Sequence, residues 1–161
     1  MNQYTLEETA VINASAETIY QILIDYVDPN AHKAITPPHF FTKIEVVSGG
    51  VGDGTIVDVY TKAVGQVTKF TMMVIEAKKN RHVIEKDSDG KTVSEFFLEP
   101  LKDGVRTNVT IKTTGTLGKG IQAWIESKLA PKILRPVYKE ELENLERVAT
   151  AREKIAAHKI A

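Results

Sequence analysis

Residues 105–148 read VRTNVTIKTTGTLGKGIQAWIESKLAPKILRPVYKEELENLERV, and this segment gives the strongest indication of the fold. Its first part, up to Thr116, alternates apolar and polar residues as a strand does. Gly118 and Gly120 then interrupt the pattern, and from Ile121 onward the apolar residues recur at helical spacing. The sequence therefore predicts that the last strand of the protein leads directly into a long C-terminal helix.

Two prolines lie inside this helical stretch. Pro131 and Pro136 each lack the amide hydrogen that an inner turn needs, so they predict two helical pieces or one kinked helix. The helix is expected to end near Ile155, with residues 153–161 frayed. The apolar positions form two groups on different faces, the first at Ile121, Trp124, Ile125 and Leu129 and the second at Leu134, Tyr138, Leu142, Leu145 and Val148.

Upstream of the helix, short apolar segments alternate with turns from residue 40 onward. The turns at 53–54, 89–90 and 103–104 are Asp-Gly pairs, which are typical of antiparallel hairpins. The predicted strands cover residues 41–48, 55–63, 67–77, 82–86, 92–99 and 105–116.

The N-terminal region combines one strand with two short helices. Residues 4–13 alternate as a strand, and Ser15 then provides a cap for a helix with apolar residues from Ile19 to Tyr26. A second helical turn is predicted at Asp28-Pro29, with the aspartate as cap and the proline at the first position, running to about Ala34.

These elements define one α+β domain over residues 1–161. We expect a curved antiparallel sheet of six to seven strands that wraps around the long C-terminal helix, with two short helices after strand 1. Such a sheet leaves a space between itself and the helix, and that space is the predicted binding site.

The composition excludes several classes of protein. The 161 residues carry 21 basic and 21 acidic side chains, so the chain lacks the basic excess of a general nucleic-acid binder. It has no cysteine, no secretory signal and no apolar run long enough for a transmembrane segment. We therefore expect a cytoplasmic protein of unassigned oligomeric state.

Catalytic motifs are absent from the sequence. The four histidines form no metal-binding pattern, and no phosphate loop or nucleophile motif occurs, so no metal or cofactor is predicted. His39 and His82 are interpreted as surface or turn residues. The catalytic residues stay unknown, and the candidates for proton transfer are Asp25, Tyr60, Glu99, Lys128 and Tyr138.

A ligand-binding surface is predicted from the apolar faces of the strands and the helix. Residues two apart in a strand share a face, which groups the inward positions. Lys128 follows Trp124 by four residues, so it either points into the cavity or extends its ammonium to solvent. The predicted ligand-binding residues are Val57, Val59, Phe70, Met72, Val74, Phe96, Leu98, Val109, Ile111, Trp124, Ile125, Lys128 and Leu129.

Two further surfaces have alternative interpretations. Residues 37–41 (PPHFF) either form the rim of the cavity or belong to the core. Lys128, Lys132, Arg135 and Lys139 would align on an unbroken helix, where they form either a solvated face or a transient contact with an anionic membrane surface.

The sequence resembles the START-related polyketide cyclase/dehydrase superfamily, also called SRPBCC, which has the helix-grip fold. The resemblance covers residues 4–150 and rests on structural motifs: the cap and helix in 10–32, the glycine turn GGVGDGT at 49–55, the hairpin segment 99–111 and the helix 129–148. It implies binding of lipids, polyketides or hormones, with catalysis in some members.

Three functions follow as hypotheses. The first is the binding or carrying of a small hydrophobic molecule, which predicts an apolar cavity with few polar groups. The second is a metal-free cyclase or dehydratase, which predicts at least two convergent titratable groups with shifted pKa values. The third is a protein-interaction module with a filled core and an exposed apolar patch.

Overall fold

The computed structural model describes residues 2–160, apart from the side chains of residues 121–127. Three helices lie at Ala16–Ile24 (α1), His32–Ile35 (α2) and Ile121–Ile160 (α3). The strands are Gln3–Ile12 (β1), Phe41–Ser48 (β2), Ile56–Ala63 (β3), Gln66–Lys78 (β4), His82–Asp87 (β5), Thr92–Pro100 (β6) and Thr107–Thr116 (β7).

The strands form one antiparallel sheet in the order β1-β7-β6-β5-β4-β3-β2. The consecutive strands from β2 to β7 all pair as neighbours, and β1 completes the sheet by pairing with β7. The predicted α+β architecture is thereby confirmed, with seven strands, two short helices after the first strand and a long helix at the end. Register shifts at 41–43, 46–48 and 76–78 interrupt the regular pairing of β2 and β4, and such bulges add twist to a sheet.

The cap of α1 is confirmed, whereas the start of α2 differs from the prediction. The hydroxyl of Ser15 accepts a hydrogen bond from the backbone nitrogen of Thr18 at 3.2 Å. The second helix begins at His32 and not at Asp28-Pro29, and residues 28–31 form a separate turn in which the Asp28 carbonyl accepts from the amide of Ala31 at 3.1 Å and its carboxylate from the amide of Asn30 at 2.8 Å. This local turn holds residues 28–30 outside the helix.

The long helix α3 is one element and not two. It runs from Ile121 to Ile160 with Pro131 and Pro136 inside it, which rules out the alternative of two separate helical pieces. It also extends past the predicted end near residue 155. The carboxylate of Glu153 accepts from the amide of Ser15 at 2.7 Å, which ties the distal part of α3 to the start of α1.

The core lies between the sheet and α3. The second predicted apolar face of α3 is confirmed, since Tyr138, Leu142, Leu145 and Val148 are buried and Leu134 packs against them. None of the helices within the described residues has the length and apolarity to cross a membrane.

Candidate functional site

A cavity of about 530 Å³ lies between the sheet and α3. All seven strands contribute to its wall, and α3 closes it with residues from Leu129 to Glu141. Most of the wall is apolar or aromatic: Tyr4, Phe40, Phe41, Ile44, Val59, Ala63, Phe70, Met72, Phe96, Ile111, Leu129, Ala130, Ile133 and Leu134. This volume falls within the range of about 300–1,000 Å³ that is usual for small-molecule sites.

The predicted strand faces point inward, but only part of them reaches the cavity. Six of the predicted ligand-binding residues lie in its wall, namely Val59, Phe70, Met72, Phe96, Ile111 and Leu129. Four others are buried in the core without lining the cavity, namely Val57, Val74, Leu98 and Val109. The inward face was predicted correctly, while the depth of each residue along a curved strand was not, because alternation gives the face only.

The remaining predicted residues lie at the first part of α3. Lys128 is exposed and does not line the cavity, so the structure places it in solvent as the alternative interpretation had it. Leu129 is 42% exposed and lies at the edge of the cavity. The side chains of Trp124 and Ile125 lie outside the described residues.

The segment 37–41 contributes to the cavity as the first interpretation proposed. The rings of Phe40 and Phe41 both line the cavity and meet edge to face, with centroids 4.9 Å apart. His39, which directly precedes Phe40, is exposed, and its Nε2 lies 2.6 Å from the Glu140 carboxylate. The two phenylalanines therefore form an aromatic corner of the wall.

Polar side chains gather at one end of this apolar space. We call Tyr26, His32, Glu85 and Glu141 the Glu141 cluster, and all four line the cavity. They come from four different parts of the chain: the segment after α1, helix α2, strand β5 and helix α3. Their convergence is a property of the tertiary structure.

One carboxylate oxygen of Glu85 interacts with two residues of the Glu141 cluster. The hydroxyl of Tyr26 donates a short hydrogen bond to its Oε1, and the Nε2 of His32 lies 3.4 Å from the same oxygen. The Nδ1 of His32 donates to the carbonyl oxygen of Leu23 at 2.7 Å, which fixes the ring orientation. Burial and the nearby Glu85 carboxylate raise the pKa of Tyr26 well above its usual range, so its hydroxyl keeps its proton.

Glu141 differs from Glu85 because its carboxyl has no protein partner. It is only 3% exposed, it lines the cavity, and within the described part of the chain nothing forms a hydrogen bond or an ion pair with its side chain. Burial, with a contribution from Glu85, raises the pKa of Glu141 well above its usual range. The site thus places a carboxyl group with a raised pKa beside a second carboxyl group.

A second polar group lies on the wall formed by β6 and β7. The hydroxyls of Tyr138 and Thr113 are 2.5 Å apart, and Thr113 also bonds the hydroxyl of Ser94 at 2.8 Å. Burial raises the pKa of Tyr138 above its usual range. The hydrogen bonds among these three hydroxyls make them a polar stripe within the cavity wall.

The turn between β5 and β6 adds charged groups to the lining. Asp87, Asp89 and Lys91 all contribute, and the ammonium of Lys91 lies 2.7 Å from the Asp89 carboxylate. Burial and a hydrogen bond that it donates to Asp89 raise the pKa of Asp87, whereas a hydrogen bond from the Lys91 ammonium lowers the pKa of Asp89 to about 2. The lysine charge is thereby already paired.

Among the five candidates for proton transfer, the structure places only Tyr138 in the cavity wall. The predicted site did not include the Glu141 cluster, although the sequence contains a signal for two of its residues. Glu141 follows Tyr138 by three residues and precedes Leu145 by four, so it is an acidic residue within an apolar helical face. Glu85 likewise lies on the same face of β5 as the buried Val83 and Asp87.

A long helix on a curved antiparallel sheet, with an apolar cavity between them, defines the helix-grip class of ligand-binding domains. The chain belongs to the family described as polyketide cyclase / dehydrase and lipid transport, whose model matches residues 3–150. No functionally curated protein matches the sequence.

Solved structures support the same fold. The KanY protein shares 29% identity with this chain, with a TM-score of 0.78 over 93% of this chain and 99% of that one. A START superfamily protein from Mycobacterium smegmatis has 18% identity and a TM-score of 0.69, covering 91% and 97% of the two chains. The Zhui aromatase/cyclase from Streptomyces sp. R1128 has 16% identity and a TM-score of 0.65, covering 94% of each chain. At such low identities the last two likenesses establish the fold alone.

Proposed function

We propose that this protein binds a small, mainly apolar molecule in the cavity between the sheet and α3. The observation that carries this proposal is a space of about 530 Å³ with an aromatic and aliphatic wall and a polar cluster at one end. Protein interiors are close-packed, so a space of this size within the fold can accommodate a molecule that packs against its apolar wall. The polar cluster then orients that molecule.

A fluorescence titration tests this proposal. N-phenyl-1-naphthylamine is a neutral aromatic probe whose emission rises in apolar surroundings, and we expect saturable binding. Val59→Trp fills part of the cavity and should weaken probe binding at least about tenfold, which corresponds to about 1.4 kcal/mol. Val67→Trp is the matched control, since Val67 is exposed on the adjacent strand β4.

Two results would contradict cavity binding. The first is an absence of saturable fluorescence at probe concentrations up to its solubility limit. The second is equal binding by the wild type and the Val59→Trp variant, provided that circular dichroism shows both to be folded.

A second candidate function is acid–base catalysis on a ketone-bearing substrate, as in a cyclase or dehydratase. The convergence of Glu85 and Glu141, with the pKa of Glu141 raised, favours it because a carboxylic acid that keeps its proton near neutral pH can serve as a general acid. The second carboxyl is then available to accept a proton from the carbon next to a carbonyl.

Deuterium exchange distinguishes catalysis from simple binding. Exchange at the central carbon of 1-phenyl-1,3-butanedione can be followed by NMR in D₂O. An enzyme of this kind should raise the exchange rate above the buffer rate, and Glu85→Gln should return it to that rate. If exchange with the wild type stays at the buffer rate, the catalytic proposal is contradicted and the binding proposal is unaffected.

A further inference from the structure

The polar end of the cavity offers more acceptors than donors. The hydroxyl of Tyr26 is engaged by Glu85, and the Nδ1 of His32 is engaged by the carbonyl of Leu23. The carboxyl groups of Glu85 and Glu141 retain oxygen lone pairs that face the cavity. A ligand that enters this end therefore finds sites that accept hydrogen bonds.

Glu141 gives the strongest indication that a ligand completes the site. Burying a polar group without a hydrogen bond is unfavourable by about 1–3 kcal/mol, so buried polar groups are nearly always paired. Glu141 is 3% exposed and lines the cavity, and within the described part of the chain nothing forms a hydrogen bond with its carboxyl. Among the described residues no side-chain polar atom is fully buried without a partner, so the oxygens of Glu141 open onto the cavity, where water or a ligand supplies their hydrogen bonds.

The charges in the described lining select against anions. Four acidic side chains face the cavity, namely Glu85, Asp87, Asp89 and Glu141. The same lining contains one lysine and one histidine, and both already face acids. Lys91 lies 2.7 Å from Asp89, and His32 lies 3.4 Å from Glu85. A carboxylate ligand at this end would therefore find no unpaired cation among these groups and would lie beside the Glu85 carboxyl.

We propose that the cavity selects ligands that present a hydrogen-bond donor, either a hydroxyl group or an amine, to the carboxyl groups of Glu141 and Glu85, and that it rejects carboxylates. This inference rests on the proposed binding function and specifies the ligand class. The apolar skeleton of the ligand fills the aromatic part of the cavity, with Phe40, Phe41 and Phe70 around it. Its donor group lies at the Glu141 cluster.

A matched series of naphthalenes tests the selection. Five compounds share one skeleton and differ at position 2: methyl, hydroxyl, aminomethyl, acetyl and carboxylate. Each competes with N-phenyl-1-naphthylamine at pH 7. We expect the hydroxyl or the aminomethyl compound to displace the probe at least about tenfold better than the methyl compound, and the carboxylate to be the weakest.

Variants link the selection to Glu141. Glu141→Met keeps the length of the side chain without its polar atoms, so it should abolish the preference for donors. Glu141→Gln keeps a polar side chain of the same size with a carbonyl acceptor, so the hydroxyl compound should keep its advantage over the methyl compound in this variant. Glu140→Gln is the control, because Glu140 is the neighbouring residue on α3 but is bonded to His39 at the surface, and this variant should keep the preference.

The outcomes separate the two proposals. Binding of the probe with a flat series, or a preference that survives in Glu141→Met, would overturn the selection and leave the binding function intact. An absence of probe binding would overturn the binding function and the selection together. A hydroxyl preference indicates a neutral alcohol or phenol, and an amine preference indicates a cationic ligand.

Discussion

Two tyrosine–glutamate pairs show how the same chemistry serves different purposes in this molecule. In the first, the hydroxyl of Tyr20 donates to Glu76 at 2.6 Å, and the other carboxylate oxygen accepts from the amide of Asp53 at 2.9 Å. We call these three residues the Glu76 cluster. The Asp53 carboxylate in turn accepts from the amide of Glu76 at 2.9 Å, so protein groups satisfy both oxygens of Glu76.

In the second pair, Tyr26 donates to Glu85 at the edge of a cavity, and Glu141 beside it has no hydrogen-bond partner among the described residues. The Glu76 cluster closes a turn against helix α1, whereas the Glu141 cluster faces an apolar space. A carboxylate whose hydrogen bonds are all made by the protein stabilises the fold. A buried carboxyl without partners lowers stability, and we interpret it as the group that binds the ligand.

The largest expected effect is the loss of the Glu76 cluster. Glu76→Ala removes the acceptor for the buried Tyr20 hydroxyl and for the Asp53 amide, and we expect the free energy of unfolding to fall by about 3 kcal/mol. Urea denaturation measures this change. Glu99→Ala, at an exposed position on β6, is the control. A loss below about 1 kcal/mol would mean that this cluster does not hold the turn in place.

Replacing the partnerless carboxyl should have the opposite sign. Glu141→Met fills the same volume with apolar atoms and removes the burial cost of an unpaired polar group, so the free energy of unfolding should rise by about 2 kcal/mol at pH 7. Urea denaturation without ligand measures the change. Destabilisation by a similar amount would show that Glu141 serves the fold as Glu76 does.

The pH dependence sharpens the contrast. Because burial and Glu85 raise the pKa of Glu141, the folded protein keeps a proton that the unfolded chain releases above about pH 4.3. Rising pH therefore favours unfolding through this group, up to its folded-state pKa. Glu141→Gln removes that contribution, so the stability of the variant relative to the wild type should increase by about 1 kcal/mol from pH 5 to pH 7.

Chemical denaturation at several pH values measures this difference. A constant difference across that interval would mean that Glu141 ionises in the folded protein as readily as in the unfolded chain.

The two tyrosines provide a smaller, matched test. Tyr20→Phe leaves an oxygen of Glu76 without its donor inside a closed turn, whereas after Tyr26→Phe the Glu85 carboxyl still faces His32 and the cavity. We expect Tyr20→Phe to lower the free energy of unfolding by about 1 kcal/mol more than Tyr26→Phe. If thermal denaturation shows the same loss of stability for both variants, access to the cavity does not compensate Glu85 for the lost hydroxyl of Tyr26.

The smallest effect is expected at an exposed ion pair. His39 and Glu140 lie 2.6 Å apart, with side chains 62% and 41% exposed. Surface pairs of this kind contribute little, so Glu140→Gln should change the free energy of unfolding by less than about 0.5 kcal/mol. A larger loss would mean that the segment 37–41 depends on this contact for its position over the cavity.

The fold could be predicted from the sequence because the signals for it are local. Strand alternation, the cap at Ser15 and the helical spacing of the apolar residues in α3 each depend on neighbours within a few positions, and the structure confirms them. The start of α2 was predicted too early, because residues 28–31 form a separate turn before the helix. The prolines left open whether α3 is one kinked helix or two pieces, and the structure shows one element.

The site depends on the tertiary structure. Tyr26, His32, Glu85 and Glu141 are spread over more than a hundred positions of the chain, and the local signals at Glu85 and Glu141 do not show that the four residues meet. Strand register, sheet curvature and the placement of α3 bring them to one end of a cavity, and these depend on long-range packing. For the same reason strand alternation predicts the inward face of β3, β4, β6 and β7 but not which of their residues reach the cavity.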